Sequence, residues 1–217
     1  MILCLVLSKA DAVVRFEGGI HQVDWEINDW VEISDNTQGK PATVDLLVGG
    51  SIADVVDVYN YSRFNIVGGL VESHVRAWGF SQVTIFDGMI EGSLCASEYS
   101  QVALYGGATG SLEFRGVSHA LICGGFIGNG IKVYGGQITV VGTDFKINGE
   151  SVDYGEFTSL DYPSGILTGT LVNGDSMDTY FEFYDSPYPG SVFLTPEPST
   201  LFLLGFGAVM LRKKRPN

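Results

Sequence analysis

The segment SRFNIVGGLV, residues 62–71, decides the fold because close variants of it recur along the chain. SQVTIFDGMI follows at 81–90 and SQVALYGGAT at 100–109. Further copies are TVDLLVGGSI at 43–52, SHALICGGFI at 118–127 and GQITVVGTDF at 136–145. Counted from Thr43, the intervals are 19, 19, 19, 18 and 18 residues. A period of this length, held over six copies, is typical of a repeat protein in which each copy packs on its neighbours.

Each copy contains apolar residues two positions apart, a spacing that puts both on one face of a β-strand. The fifth position is always apolar: Leu47, Ile66, Ile85, Leu104, Ile122 and Val140. The third position is Phe64, Val83, Val102, Ala120 or Ile138, with Asp45 as the exception in the first copy. A second apolar pair follows in most copies: Val56 with Val58, Val75 with Ala77, Leu94 with Ala96, and Ile131 with Val133.

A glycine doublet follows the first strand of most copies, where a positive φ at a corner favours glycine. The doublets are Gly49-Gly50, Gly68-Gly69, Gly106-Gly107 and Gly124-Gly125, with Asp87-Gly88 in the third copy. Two or three short strands joined by corners describe one coil of a β-solenoid. We predict an all-β chain with a right-handed parallel β-helix of about six coils of 18–19 residues. A β-sandwich is the weaker alternative, because hairpins do not explain a fixed period.

The repeat divides the chain into segments. Residues 43–145 are predicted to form the solenoid, and residues 13–42 an N-terminal cap in which Trp25 and Trp30 cover the first coil. Residues 146–193 lose the period and predict a β-rich C-terminal cap region. Caps are expected because the open ends of a solenoid expose strand edges.

The amino-acid composition argues against several classes of function. The net charge is −13, and five of the 12 basic residues are Lys9 and the cluster at 212–215, so the body of the chain is strongly acidic. Such a surface repels phosphate backbones and argues against nucleic-acid binding. The acidic surface is more typical of a soluble, exported protein than of a protein with a dedicated cation-binding site. Cys4, Cys95 and Cys123 show no CxxC motif and no metal-ligand spacing, and they predict no disulfide framework.

The N-terminal segment MILCLVLSKADA, residues 1–12, has an apolar run from Ile2 to Leu7 and then Ala10-Asp11-Ala12. It resembles the apolar region and A-x-A cleavage site of a secretory signal peptide, with cleavage after Ala12. The run is short and no basic residue precedes it. A start codon further upstream and a buried strand are therefore the alternatives.

The C-terminal segment, residues 194–217, combines Pro196-Glu197-Pro198, an apolar stretch at 201–211 and a basic cluster. The cluster consists of Arg212, Lys213, Lys214 and Arg215. A short helix over 201–211 at roughly 1.5 Å per residue would cross only about half of a bilayer's hydrocarbon core. The basic cluster would stay cytoplasmic, which leaves the preceding chain outside.

This order of PEP motif, apolar segment and basic cluster resembles the PEP-CTERM protein-sorting signal of Gram-negative-type bacteria. The resemblance implies an exosortase as partner, a membrane protease-transpeptidase that removes the tail near Pro196, Glu197 and Pro198 after transient membrane insertion. It also implies a place at the cell surface or in an extracellular matrix, with exopolysaccharide as a second candidate partner. The alternative is an interfacial or core helix that ends in basic residues.

The coils show no catalytic constellation. The coil acids Glu72, Asp87, Glu91, Glu98 and Glu113 occupy different coil positions, as do Arg63, Arg76 and Arg115. His74 and His119 also differ in position, and no nucleophile elbow, P-loop or zinc pattern occurs. The sequence therefore predicts no enzyme, no cofactor and no metal.

Tyr59, Trp78 and Tyr134 occupy one slot in three coils and are the candidate glycan-stacking residues. Stacked aromatics also stabilise neighbouring strands, and this reading is favoured because Ser97 and Arg115 interrupt the slot. The segment NGDSMD, residues 173–178, predicts an acidic turn rather than a calcium loop. The expected role is structural or adhesive. The alternatives are a carbohydrate-binding module and a polysaccharide lyase or hydrolase.

Overall fold

The computed structural model describes residues 13–197, in which all regular structure is β-strand. The first strands are β1 (Val13–Glu17), β2 (Gly19–Val23), β3 (Glu26–Ile27), β4 (Trp30–Ser34), β5 (Ala42–Leu47), β6 (Ser51–Ile52), β7 (Val56–Val58), β8 (Arg63–Val71), β9 (Val75–Ala77) and β10 (Gln82–Ala96). The others are β11 (Gln101–Leu104), β12 (Ala108–Ile122), β13 (Phe126–Ile127), β14 (Ile131–Ile147), β15 (Glu150–Ser151), β16 (Gly155–Thr158), β17 (Ser164–Leu171), β18 (Ser176–Phe183) and β19 (Gly190–Thr195). They form one sheet wound into a solenoid of about seven coils, as the period predicts. The predicted C-terminal helix lies outside the described residues.

Each coil has three faces. In the coil of residues 62–77, face A spans 62–67, face B spans 70–71 and face C spans 75–77. Equivalent strands pair in parallel, so that Gln82 on face A lies between Arg63 and Gln101. Six complete coils cover residues 19–34, 42–58, 62–77, 81–96, 100–114 and 118–133.

The core is a column of inward side chains from all three faces. Face A contributes Val44 with Leu46, Phe64 with Ile66, Val83 with Ile85, Val102 with Leu104, Ala120 with Ile122, and Ile138 with Val140. Face C contributes Val56 with Val58, Val75 with Ala77, Leu94 with Ala96, Leu112 with Phe114, and Ile131 with Val133. Face B adds one residue per coil, such as Ile52, Val71 or Ile90. The predicted apolar pairs from Ser62 onward are thus confirmed as core.

The predicted register of the first copy is wrong by one residue. Val44 and Leu46 are the buried residues, whereas Asp45 faces outward and accepts a hydrogen bond from Asn65 at 2.8 Å. Leu47 is half-buried, not a core residue. The copy begins at Ala42, and the extra residue is absorbed as a bulge in which Leu47 faces both Val67 and Gly68.

The stretch predicted as an N-terminal cap contains a coil of its own. Strands β2, β3 and β4 pair in parallel with β5, β6 and β7, and β1 continues face C beneath β4. A loop at 35–41 lengthens this coil and hides its period in the sequence. Trp25 is 51% exposed, and Trp30 lies on the outer side of face C, so neither tryptophan covers the core.

The C-terminal region both continues and closes the solenoid. The end of β18 pairs in parallel with residues 131–133 on face C, and β19 pairs in parallel with 136–141 on face A. β16 runs antiparallel along β19, and β17 joins β18 in an antiparallel hairpin. Antiparallel pairing covers a strand edge that a further coil would otherwise occupy.

The corners explain the glycine content. A Cβ at Gly69 would collide with the side chain of Leu46 and lie 2.9 Å from the carbonyl oxygens of Gly50 and Leu47. The opposite corner, between faces C and A, has a left-handed residue in four successive coils: Asn60, Gly79, Glu98 and Gly116, with φ of 59°, 66°, 59° and 66°.

Gly69→Ala tests this close approach of coils without a change of handedness, because Gly69 does not have a positive φ. Overpacking of this kind costs about 1–3 kcal/mol. We expect that loss in the free energy of unfolding measured by urea denaturation. Gly128→Ala is the matched control, since a Cβ there meets the carbonyl oxygen of Gly110 at an ordinary 3.5 Å. Equal losses in the two variants would contradict the packing described.

Candidate functional site

Face C carries a row of side chains, charged in all but one case, because the middle residue of each of its strands points outward. The charge row consists of Arg15, Glu32, Asp57, Arg76, Cys95, Glu113, Lys132 and Glu182. Strand stacking places each member beside the next at roughly 4.8 Å between strands. Face C is therefore the part of the described chain where acids and bases concentrate in register.

Asp57 and Arg76 form the tightest pair of the row. Arg76 donates from Nε and from a terminal nitrogen to the two carboxylate oxygens of Asp57, each at 2.6 Å. Asp57 is only 1% exposed and also accepts a hydrogen bond from Trp78 Nε1 at 3.3 Å. The hydrogen bond to Asp57 raises the pKa of the Arg76 guanidinium, although burial opposes it. Both oxygens of the Asp57 carboxylate therefore accept hydrogen bonds within the protein.

Glu113 is held between two bases. Lys132 Nζ donates at 2.9 Å to one oxygen, and Arg115 donates at 3.4 Å to the other. Burial alone would raise the pKa of Glu113, but Lys132 and Arg115 together bring it below its usual range. Burial, together with the Glu113 charge, raises the pKa of the neighbouring Cys95 to about 11, so this thiol stays protonated at neutral pH.

The charge row was not predicted from the sequence. The acids Glu72, Asp87, Glu91 and Glu98 do occupy coil positions other than that of Glu113, whereas Asp57 and Lys132 share its position. Glu72 and Glu91 are equivalent to each other, so the expectation that all the coil acids differ in position is wrong for this pair. The signal was present, because residues 57, 76, 95, 113 and 132 follow the repeat period. The acids Asp57 and Glu113 are paired with bases rather than with each other. The geometry is that of a set of ion pairs, not the opposed carboxylates of a glycosidase.

Tyr59, Trp78 and Tyr134 lie in one row beside the charge row, with Ser97 and Arg115 between them. The ring of Tyr134 stacks on Tyr184 with centroids 4.4 Å apart. On its other side the Arg115 guanidinium carbon lies 5.0 Å from the ring centroid. Both faces of Tyr134 are therefore occupied by neighbours in the row, and they are closed to a sugar ring.

Two further aromatic groups border face A and were also missed. Tyr61, Phe80 and Tyr99 form an exposed stack with centroid distances of 5.1 and 5.0 Å and nearly parallel planes. Phe86 and Tyr105 stack at 5.6 Å on the other border. Parallel pairing places equivalent rings of successive coils in contact, so these stacks follow directly from the register.

The NGDSMD segment forms the turn and the start of β18 in the β17–β18 hairpin, in agreement with the predicted turn. Asp175 accepts hydrogen bonds from the Gly125 N–H and from Asn173 Nδ2, both at 2.6 Å. Asn173 Nδ2 also donates to the carbonyl oxygen of Tyr105 at 3.2 Å. The turn thus holds the hairpin to a glycine corner. Within residues 13–197, no three His, Cys, Asp or Glu side chains are grouped as a metal site.

The predicted sorting signals lie mostly outside the described residues. Pro196 and Glu197 follow directly after β19 and are half-buried. Ala12, Pro198, the apolar segment and the basic cluster at 212–215 lie outside the described residues. Between residues 13 and 197, no helix has the length and apolar character needed to cross a membrane.

Fold and surface together define a β-solenoid whose outward positions form rows of charged, aromatic or polar side chains. The chain has no match among protein-family models, curated proteins or solved structures. A proposal for the function therefore depends on the side chains and geometry of this chain alone.

Arg76→Met removes the base paired with the buried Asp57 and leaves this carboxylate with only the long hydrogen bond from Trp78 Nε1 among those described above. Such a loss costs about 1–3 kcal/mol when one partner is partly solvated, as Arg76 is at 39% exposure. Arg115→Met, at an exposed pair, should cost less than about 1 kcal/mol. Chemical denaturation of both variants measures the difference. If Arg76→Met lowers the free energy of unfolding no more than Arg115→Met does, the Asp57–Arg76 pair contributes no more to stability than an exposed ion pair.

Asp175 gives a pH-dependent prediction. The Gly125 N–H, and then Asn173, hold the pKa of Asp175 below its ordinary value of about 3.9. Its contribution to stability is present above that value and is lost as the pH falls through the lowered pKa. The Gly125 amide proton shift should therefore titrate with a midpoint below about 3.9, and Asp175→Asn should abolish this titration. A midpoint at or above the ordinary value would contradict the contact.

Proposed function

We propose that this chain is an exported, non-enzymatic β-solenoid that serves a structural or adhesive role at the cell surface or in an extracellular polysaccharide matrix. An exosortase removes its C-terminal tail. The observation that carries the proposal is the position of the PEP motif relative to the fold. Among the described residues the last strand ends at Thr195, and the motif begins at Pro196, so cleavage near the motif cuts none of the described strands.

A structural role also agrees with the ion pairs of face C. Glu113 is paired with Lys132 and Asp57 with Arg76, which stabilises stacked strands and leaves neither acid free as a general acid or base. A glycan-binding role for the Tyr59, Trp78 and Tyr134 slot is disfavoured because both faces of Tyr134 are covered. Nothing in the described residues favours a lyase or hydrolase over the structural role.

The intact mass of the protein, recovered separately from the envelope and the medium of its native host, tests the proposal. The expected mass lacks the first twelve residues and those beyond roughly Pro198. The Pro196→Ala, Glu197→Gln double variant should retain the tail, whereas Glu156→Gln, a matched change of an exposed acid on β16, should be processed normally. A wild-type mass with the tail intact would contradict exosortase processing.

A further inference from the structure

A groove runs along face A, parallel to the direction in which the coils stack. One part, of about 290 Å³, is lined by Gln82, Gln101 and His119. A second part, of about 240 Å³, is lined by His119, Gln137 and Ser191. These five residues, the groove row, are register partners in successive coils, and His119 belongs to both parts. At about 4.8 Å per coil the groove extends for roughly 19 Å.

Aromatic rings stand beside this groove. In the stack of aromatic rings, Phe80 precedes Gln82 and Tyr99 precedes Gln101 by two residues, whereas Tyr61 continues the stack into the coil before the groove. Tyr105 lines the groove from the other border of face A. Phe80 and Tyr99 are about half exposed. Concave sites that hold small or linear ligands combine apolar walls with a few polar groups in this manner.

Among the outward residues of face A in the middle of this region there is no acid, lysine or arginine, although the chain as a whole has a net charge of −13. The exposed acids nearest to it are Asp87, at the corner that follows Phe86, and Glu156, which pairs with Phe193 at the C-terminal end of the same sheet. Its outward residues from the fourth complete coil onward are Gln82, Thr84, Phe86, Gln101, Ala103, Tyr105, His119, Leu121, Cys123, Gln137, Thr139, Val141, Ser191, Phe193 and Thr195. The earlier coils differ, because Asp45 and Arg63 point outward there. The ligand that suits this face is uncharged.

The groove row has hydrogen-bonding capacity to spare. A glutamine amide offers two donors and two acceptor lone pairs. Within the described residues, the only side-chain hydrogen bond in this row joins Gln82 Nε2 to Gln101 Oε1 at 3.5 Å. Gln101 and His119 are exposed, and Gln137 is half-buried. Polar side chains spaced evenly along a line match hydroxyl groups spaced evenly along a polymer.

We propose that the groove binds a linear, neutral polysaccharide that lies along the stacking axis. Sugar hydroxyls meet Gln101, His119 and Gln137, and the apolar ring faces meet the aromatic borders. The straight groove fits one extended chain better than the broad apolar patch of a protein interface. An anionic glycan is disfavoured by the net charge of the protein. The assignment goes beyond the proposed function, and it does not depend on export or tail cleavage.

Affinity electrophoresis of the full-length protein tests the groove. The native gels contain hydroxyethyl cellulose, galactomannan or xyloglucan as neutral probes, with polygalacturonate as the anionic comparison. At least one neutral probe should retard the protein, and the retardation should not depend on salt. Gln101→Glu places a charge in the groove, and Ala103→Trp fills it, so each should weaken the apparent affinity at least tenfold. Gln38→Glu, the same chemical change in the exposed 35–41 loop, is the matched control and should not.

Three outcomes would overturn the proposal. The first is the absence of retardation by all three neutral probes, and the second is an equal loss of affinity in the Gln38→Glu control. The third is a protein that sediments as a dimer and becomes monomeric with Gln101→Glu, since face A would then be an interface between two copies. Failure of export leaves these outcomes unchanged, because the purified protein is tested directly.

Discussion

Backbone pairing between coils is the constraint on which the rest of this structure depends. A strand of faces A, B or C has its hydrogen-bonding partners in the coils before and after it. Buried N–H and C=O groups require such partners, so the coils must stack at the strand spacing of about 4.8 Å. Corners then bring backbone close to backbone, and this close approach is why glycine occupies positions such as Gly69 and Gly106.

The same stacking turns each outward position into a row of side chains in mutual contact. Like charges in one row would repel at close range. Face C avoids this in part by alternation, since Asp57 is followed by Arg76 and Glu113 by Lys132. Face A avoids it because its outward rows at Gln101, His119 and Gln137 contain no acid, lysine or arginine, and the exposed acids Asp87 and Glu156 lie at its margins. One face is thereby committed to internal ion pairs, while the other keeps amides such as Gln101 available to a ligand.

The repeat was readable because core positions recur with little variation. The apolar pairs and corner glycines between Ser62 and Gly136 predicted register, face and core. Insertions defeated the same reasoning: the 35–41 loop hid a complete coil, and a bulge at Leu47 shifted the first copy by one residue. The groove on face A could not be read in advance, because its row of Gln82, Gln101, His119 and Gln137 varies in residue type. These four residues share the second position of the aligned copies, but an outward position of varied residue type does not reveal a groove, and Ser191 lies outside the repeat period.

Nuclear Overhauser contacts in the labelled full-length protein test whether the coils stack in parallel register. We expect backbone contacts from Gln82 to Gln101 and from Gln101 to His119, with equivalent contacts on face C from Val75 to Leu94. Such contacts recur at the repeat period through all complete coils. Close Hα–Hα contacts between antiparallel neighbours in residues 42–133, as in a β-sandwich, would contradict this stacking.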